Sequence, residues 1–141
     1  MKLVLDTSVL VAAIRGPGGA SATLLDWALA GKASVLISTP LLLEYEAVMT
    51  REEHRLVSGL TTAEVNILLD AYAAVAQHVE FFFTWRPILN DPDDEMVLET
   101  AANGGADAIV TFNERDFQQA LARFRIAVIA PRIACGRLRT Q

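Results

Sequence analysis

Lys2-Leu3-Val4-Leu5-Asp6-Thr7-Ser8-Val9-Leu10 opens the chain, and its reading sets the fold. Leu3-Val4-Leu5 is too short for a helix and has no polar alternation, so it reads as a short strand covered on both faces. Asp6-Thr7-Ser8 follows, and the stretch Val9 to Ile14 reads as a helix that Ser8 or Thr7 can cap. Arg15-Gly16-Pro17-Gly18-Gly19 then breaks the chain.

The same alternation continues downstream. Ser21 to Ala30 reads as a helix stopped at Gly31, and Val35-Leu36-Ile37 as a second buried strand. Thr39-Pro40 opens a helix, with Thr39 as its cap and Pro40 in its first turn, and an apolar stripe of Leu41, Leu42, Tyr45, Val48 and Met49. Arg51 to Arg55 looks solvated. Thr61 to Gln77 is predicted helical, with Thr61 or Thr62 and Glu64 at capping-box spacing. Glu80 to Thr84 is the third strand candidate, and Asn90 to Asp94 a turn into a helix that runs to about Asn103 and closes at Gly104-Gly105. Asp107 to Thr111 and Ile126 to Ile129 supply a fourth and a fifth strand, with a helix over Glu114 to Phe124 between them. Strands separated by helices predict an α/β sandwich with a largely parallel sheet. Functional groups in such sheets gather at the carboxyl ends of strands, here Asp6, Ser38 and Thr111-Phe112-Asn113.

Composition fits that reading. The 141 residues, 15.3 kDa, predict one domain over residues 1–131, with 132–141 a short polar tail. Hydrophobic residues at 52% and charged residues at 21% exclude a disordered chain. The lone Cys135 excludes an intrachain disulfide framework and a cysteine-rich zinc site, and His54 and His78 offer little for a histidine metal cluster. No apolar run approaches the roughly 20 residues of a membrane span, and the start lacks signal-peptide character, so a cytoplasmic protein is expected. Twelve Lys+Arg against seventeen Asp+Glu give a net charge of −5 and a pI near 4.9, which is not the footprint of a broad nucleic-acid coat. That balance still allows a nuclease whose acids gather at one metal. Ten of the twelve basic residues are arginine, a residue suited to bidentate phosphate contacts.

Four acids stand where acids are costly. Asp6 lies between two apolar runs, as an N-cap or as a metal ligand at the sheet edge. Glu44 is three residues after Leu41 and four before Val48, on their apolar face; Glu46 is the weaker candidate. Asp94 precedes Val97, Leu98 and Ala101 at inward spacing, although Asp91, Pro92, Asp93 and Asp94 also fit the cap and first turn of a helix. Asp116 follows Asn113 at capping distance. Together these carboxylates suit a hard cation, with Thr7, Ser8 and Thr111 as hydroxyls that orient them. Phosphate-loop, dinucleotide, C-x-x-C and H-E-x-x-H motifs are all absent from the sequence.

These residues resemble the PIN-domain family, in particular its bacterial branch of VapC-like toxin–antitoxin ribonucleases, from about Lys2 to Pro131. The likeness is carried by Asp6-Thr7-Ser8 after the opening strand, by Ser38-Thr39-Pro40-Leu41-Leu42-Leu43-Glu44, by Asn90-Asp91-Pro92-Asp93-Asp94-Glu95, and by Ala106 to Thr111 with Asn113 and Asp116-Phe117. The resemblance implies a three-layer α/β/α sandwich with a central, mainly parallel sheet of about five strands. It implies an acidic site of Asp6, Glu44, Asp94 and Asp116 binding Mg²⁺ or Mn²⁺ and hydrolysing RNA phosphodiesters. Asp93 is the nearest rival to Asp94. Thr7, Ser8, Thr111 and Asn113 are the expected orienting groups. Many relatives carry aspartate where Asn113 stands, and others carry asparagine there with an aspartate three residues later, as Asn113 and Asp116 do here. An amide brings no negative charge, which leaves Asp116 as the fourth acid. The resemblance further implies a homodimer and a cognate antitoxin over the acidic site. Leu24, Leu25, Trp27 and Leu29 are candidates for the dimer interface, with core packing the competing use. Arg15, Arg51, Arg55, Arg86, Arg132, Arg137 and Arg139 are candidate RNA contacts. Two other readings stay open: a noncatalytic interaction module and a metal-dependent nuclease acting on DNA.

Overall fold

Strand β1 (Lys2–Leu5) lies at the centre of a five-stranded sheet with every pairing parallel. The computed structural model describes residues 1–81 and 92–141, without the side chains of 92 and 119–121. Strand β2 (Ser34–Ile37) pairs with β1 on one side, and β3 (Gln77–His78) extends the sheet beyond it. On the other side β4 (Ala108–Val110) pairs with β1 in the register Leu3 to Ala108, Val4 to Ile109 and Leu5 to Val110, and β5 (Ala127–Ile129) follows. The spatial order is therefore β3-β2-β1-β4-β5. Helices cover both faces in the three-layer arrangement of the expected α/β class.

Why β1 is central follows from its residues. Leu3, Val4 and Leu5 alternate in direction, yet all three are fully buried, so both faces are covered. Each such side chain contributes roughly 1.5–3 kcal/mol by leaving water. Helix α1 (Thr7–Arg15) turns Val9, Leu10 and Ala13 to the core, and α2 (Ala20–Leu29) packs against α1. Helix α3 (Thr39–Met49) is capped by Ser38 rather than the expected Thr39: the Ser38 hydroxyl accepts from the Leu41 N–H at 3.3 Å. Helix α5 (Thr62–Val75) begins with the anticipated capping box, Thr61 and Glu64 exchanging hydrogen bonds at 3.1 Å. Helix α6 (Pro92–Gly104) buries Val97, Leu98 and Ala101 as the spacing predicted, and packs against β1, β2 and β4.

Several expectations are corrected. Strand β3 is Gln77–His78 and not Glu80–Thr84: Glu80 and Phe81 lie past it, and residues 82–84 lie outside the described residues. An edge strand needs only backbone pairing, so exposed Gln and His carried no apolar signal. Arg51, Glu52 and Glu53 are exposed as expected, but the segment also opens a helix, α4 (Glu52–Ser58), ended by Gly59 at φ +76°. The helix expected over Glu114–Phe124 is a 3₁₀ turn (Glu114–Phe117) followed by α7 (Gln118–Phe124). The polar tail is mostly helix α8 (Pro131–Arg139), which buries Ala134 and Cys135 and packs on α2. Leu24 and Leu25, offered for a dimer interface, are in the core, and the Arg139 guanidinium lies 5.3 Å from the Trp27 ring centroid. Among the described residues no single helix is long and apolar enough to cross a membrane.

Candidate active site

In this strand order the chain leaves β1 for β2 on one side and later returns to β4 on the other. A crevice opens at that reversal, beyond the carboxyl ends of β1 and β4. Asp6 and Thr111 are the residues that follow those two strands. The Asp6 N–H donates to the Val110 carbonyl at 2.9 Å, extending the ladder by one step and holding Asp6 beside Thr111.

The Asp6 side chain is 6% exposed. It occupies the N-cap position of α1 but makes no capping bond. Its Oδ2 instead accepts from the Thr111 hydroxyl at 2.7 Å and from the Ser8 hydroxyl at 2.8 Å. Burial pushes its pKa above the ordinary carboxylate value; the Thr111 and Ser8 hydroxyls and the Thr7 backbone N–H oppose that rise, while the nearby Asp116 charge adds to it. Thr111 is itself fixed, because its hydroxyl accepts from the Asn113 N–H at 3.0 Å. The capping use of Asp6 thus gives way to a carboxylate oriented by two hydroxyls.

The crevice is a cleft of about 700 Å³. One stripe of α1 (Thr7, Ser8, Val11, Ala12 and Arg15) forms one wall, the other helix face being in the core. Glu44 and Val48, one turn apart on α3, form another. Asp93 and Asp94, in the first turn of α6, and Asn113 complete the acidic side. Both aspartates are placed favourably by the helix N-terminus; Asp91, the expected cap, lies outside the described residues. Glu44 and Asp94 are half-buried, Asp93 is exposed, and Glu46 is exposed on α3 away from the cleft lining. Asp116 is an exposed residue of the 3₁₀ turn, not part of the lining, and reaches the site through its charge on Asp6.

Two buried links hold the helices that carry the acids. The Tyr45 hydroxyl donates to the Leu5 carbonyl, pinning α3 to the end of β1 beside Asp6. Thr100 donates to the Met96 carbonyl at 2.7 Å, so in its 2.7 Å contact with Ser38 the Ser38 hydroxyl is the donor. That bond ties the start of α3 to α6, and with it the Glu44 helix to the Asp94 helix.

Ser38, Tyr45 and Thr100 carry no sequence signal for this role, and His54 sits in a segment whose charges signal only solvation. His54 lines the cleft from α4, where its Nδ1 is 2.9 Å from Arg15 Nη1. Gly59, a helix-ending glycine four residues after Arg55, was the signal that a helix preceded it.

Carboxylate and amide oxygens from Asp6, Glu44, Asp94 and Asn113 are the donors a hard divalent cation takes. A cation near Asp6 would also offset the desolvation that raises its pKa. The donor set therefore fits in kind. Among the described residues, no three His, Cys, Asp or Glu side chains are gathered closely enough to hold a metal.

The profile of the PIN domain matches residues 2–115, and the chain belongs to the PIN-domain family. The match spans Asp6, Glu44, Asp94, Thr111 and Asn113 and stops one residue before Asp116. The chain is similar in structure to VapBC2 from Rickettsia felis bound to a DNA fragment from its promoter, with a TM-score of 0.58 and 16% identity, covering 92% of this chain and 97% of that one. At that identity the likeness is one of fold. No curated protein sequence matches the chain.

Proposed function

We propose that this chain is a metal-dependent endoribonuclease and the toxin component of a toxin–antitoxin pair. The observation that carries the reading is Asp6: a buried carboxylate, oriented by two hydroxyls at the reversal point of the sheet, on the same cleft as Glu44 and Asp94. PIN domains are generally divalent-metal-dependent nucleases.

Asp6, Glu44 and Asp94 are the residues that would hold Mg²⁺ or Mn²⁺, with Asp116 adding charge from outside the cleft lining. A bound divalent cation supplies an activated water and stabilises charge on the phosphoryl group. Thr111 and Ser8 hold one oxygen of Asp6 in place, so that carboxylate does not have to reorganise when it takes a ligand. Asn113 offers a carbonyl oxygen to water or metal and an N–H₂ to a phosphate oxygen. Asp93 stands at the mouth of the cleft as the alternative to Asp94.

The antitoxin reading is supported by the structural likeness to a VapBC complex, and by an acidic cleft wall that a cationic segment would complement. A homodimer has apolar surface to use in Leu43, Leu56, Val57 and Ile67, all exposed on α3, α4 and α5. RNA as substrate, and a single buried free thiol, suit the cytoplasm.

A noncatalytic interaction module is the second reading. It is favoured by Asn113 in place of an acid and by the position of Asp116 outside the cleft lining. The test is cleavage of end-labelled RNA and matched DNA with Mn²⁺, with Mg²⁺ and with chelator, comparing wild type with Asp6→Asn. Metal-dependent RNA cleavage that falls at least ~100-fold in Asp6→Asn is expected, since even outer partners of metal ligands are worth 10–100-fold. A folded wild type that binds no metal and cuts nothing selects the interaction module; preferential DNA cleavage overturns the RNA assignment.

A further inference from the structure

Arg15 ends the α1 stripe that begins beside Asp6, and among the described residues lining the cleft it is the one arginine or lysine. Arg55 is engaged elsewhere, its Nε donating to the Thr50 carbonyl at 2.9 Å, and Arg139 lies over Trp27. Arg132 lines a separate pocket with Phe112. Arg86 lies outside the described residues; among those described, the cleft has one cationic end and one acidic end.

The Arg15 contact fixes a tautomer. A guanidinium only donates, so His54 Nδ1, 2.9 Å from Arg15 Nη1, is the acceptor, and the ring proton sits on Nε2. Glu53 Oε1 lies 3.7 Å from that Nε2, on the side where the proton is. His54 is well covered, its side chain 15% exposed, while Arg15 is exposed. A neutral imidazole thus steers the guanidinium without cancelling its charge, which a carboxylate partner would do.

We infer that Arg15, held by His54, is a phosphate-positioning residue: it grips a backbone phosphate flanking the one that is cut. The inference rests on the nuclease reading above. Asp6 and Arg15 stand nine positions apart along α1, about 13.5 Å of rise between their backbones at 1.5 Å per residue. At that offset the guanidinium would reach a phosphate other than the reacting one. Its planar fork matches two phosphate oxygens, and the acids at the other end repel the strand unless a cation screens them. Strand polarity and register across the cleft would then be set by Arg15.

The test uses a labelled single-stranded RNA and full-length protein carrying Asp94→Asn, so that the probe is bound without being cut, in Mg²⁺ over a series of salt concentrations. Adding Arg15→Gln should weaken binding roughly 5-fold and reduce the slope of log K against log salt by about 0.7, one phosphate contact on a single strand. Arg15→Lys should restore the slope but not the full affinity, because it keeps charge without the fork. His54→Leu should weaken binding in the Arg15 background and add nothing to Arg15→Gln. In otherwise wild-type protein, Arg15→Gln should raise KM with kcat within about 2-fold. Melting curves check that Arg15→Gln and His54→Leu fold. An unchanged salt slope in Arg15→Gln, or a fall in kcat at constant KM, overturns the inference and leaves the nuclease reading standing. A parent protein that binds neither RNA nor DNA overturns both.

Discussion

Replacing Thr111 by valine removes one hydroxyl from the buried end of β4 at almost constant volume. That hydroxyl donates to a carboxylate at 2.7 Å and accepts the Asn113 N–H at 3.0 Å. A hydrogen bond to a charged group is worth about 1.5–3 kcal/mol net. Asn113 is exposed, so water replaces the lost acceptor there at little cost. Thr111→Val should therefore cost about 2 kcal/mol. With an unfolding entropy of about 2.1 cal/mol/K per residue, a chain of this length loses roughly 0.3 kcal/mol per degree, which converts to a drop in Tm of about 7 °C. Thermal unfolding followed by circular dichroism in chelator measures it. Thr111→Ser keeps both bonds and loses one methyl, so it should fall by clearly less. Combining Thr111→Val with Asp6→Ala removes both partners, and the cycle should return a coupling of about 1–2 kcal/mol. Additivity within about 0.5 kcal/mol, or a valine variant no worse than the serine one, refutes the claim that this hydroxyl orients Asp6.

Further outcomes follow from the same geometry. Because burial raises the folded-state pKa of Asp6 above its unfolded value, this group favours folding below the unfolded pKa, and that contribution is lost as pH rises through the folded pKa. Metal-free Asp6→Asn should thus melt higher than wild type at neutral pH, with the gap closing on acidification; a wild type more stable than Asp6→Asn in chelator at neutral pH would reverse the sign. Adding Mg²⁺ at about 100 times its Kd should stabilise wild type by about 2.7 kcal/mol, with Asp6→Asn nearly unmoved, as read by differential scanning calorimetry. Tyr45→Phe leaves the buried Leu5 carbonyl without its donor and should cost about 1–3 kcal/mol in urea unfolding at unchanged m. Gly104→Ala would set a Cβ 2.7 Å from Val79 Cγ2 and 2.8 Å from Leu36 Cδ1, so overpacking should cost about 1–3 kcal/mol; a neutral result means α6 can lift off β2.

What the sequence made legible was whatever burial had written into it. Leu3-Val4-Leu5 and Ala108-Ile109-Val110 lie in β1 and β4 because strands covered on both faces are apolar throughout. Thr61 and Glu64 gave the start of α5 through local chemistry alone. Gln77–His78 and Glu52–Ser58 escaped because one is an exposed edge strand and the other buries no residue fully. Asp6, Glu44 and Asp94 were legible as acids next to apolar residues, and all three line one cleft with Asn113, though not within metal-binding distance of one another. The Arg15–His54 contact was not legible, since it joins residues 39 apart through α4, a helix with no fully buried residue to mark it. Asp116 shows the converse: its spacing from Asn113 drew attention, yet it lines no part of the cleft.

The pairing of β1 with β4 also fixes when the molecule becomes whole. Leu3, Val4 and Leu5 are made more than a hundred residues before their partners on one side, Ala108 to Val110. Until then one flank of the most apolar strand has no ladder partner, and Asp6 has neither Thr111 beside it nor the α6 acids across from it. Synthesis thus keeps the acids apart while an exposed strand edge invites wrong pairing. The closing third of the chain ends both conditions at once. A nascent fragment of this protein is thus prone to wrong association before its acids can meet.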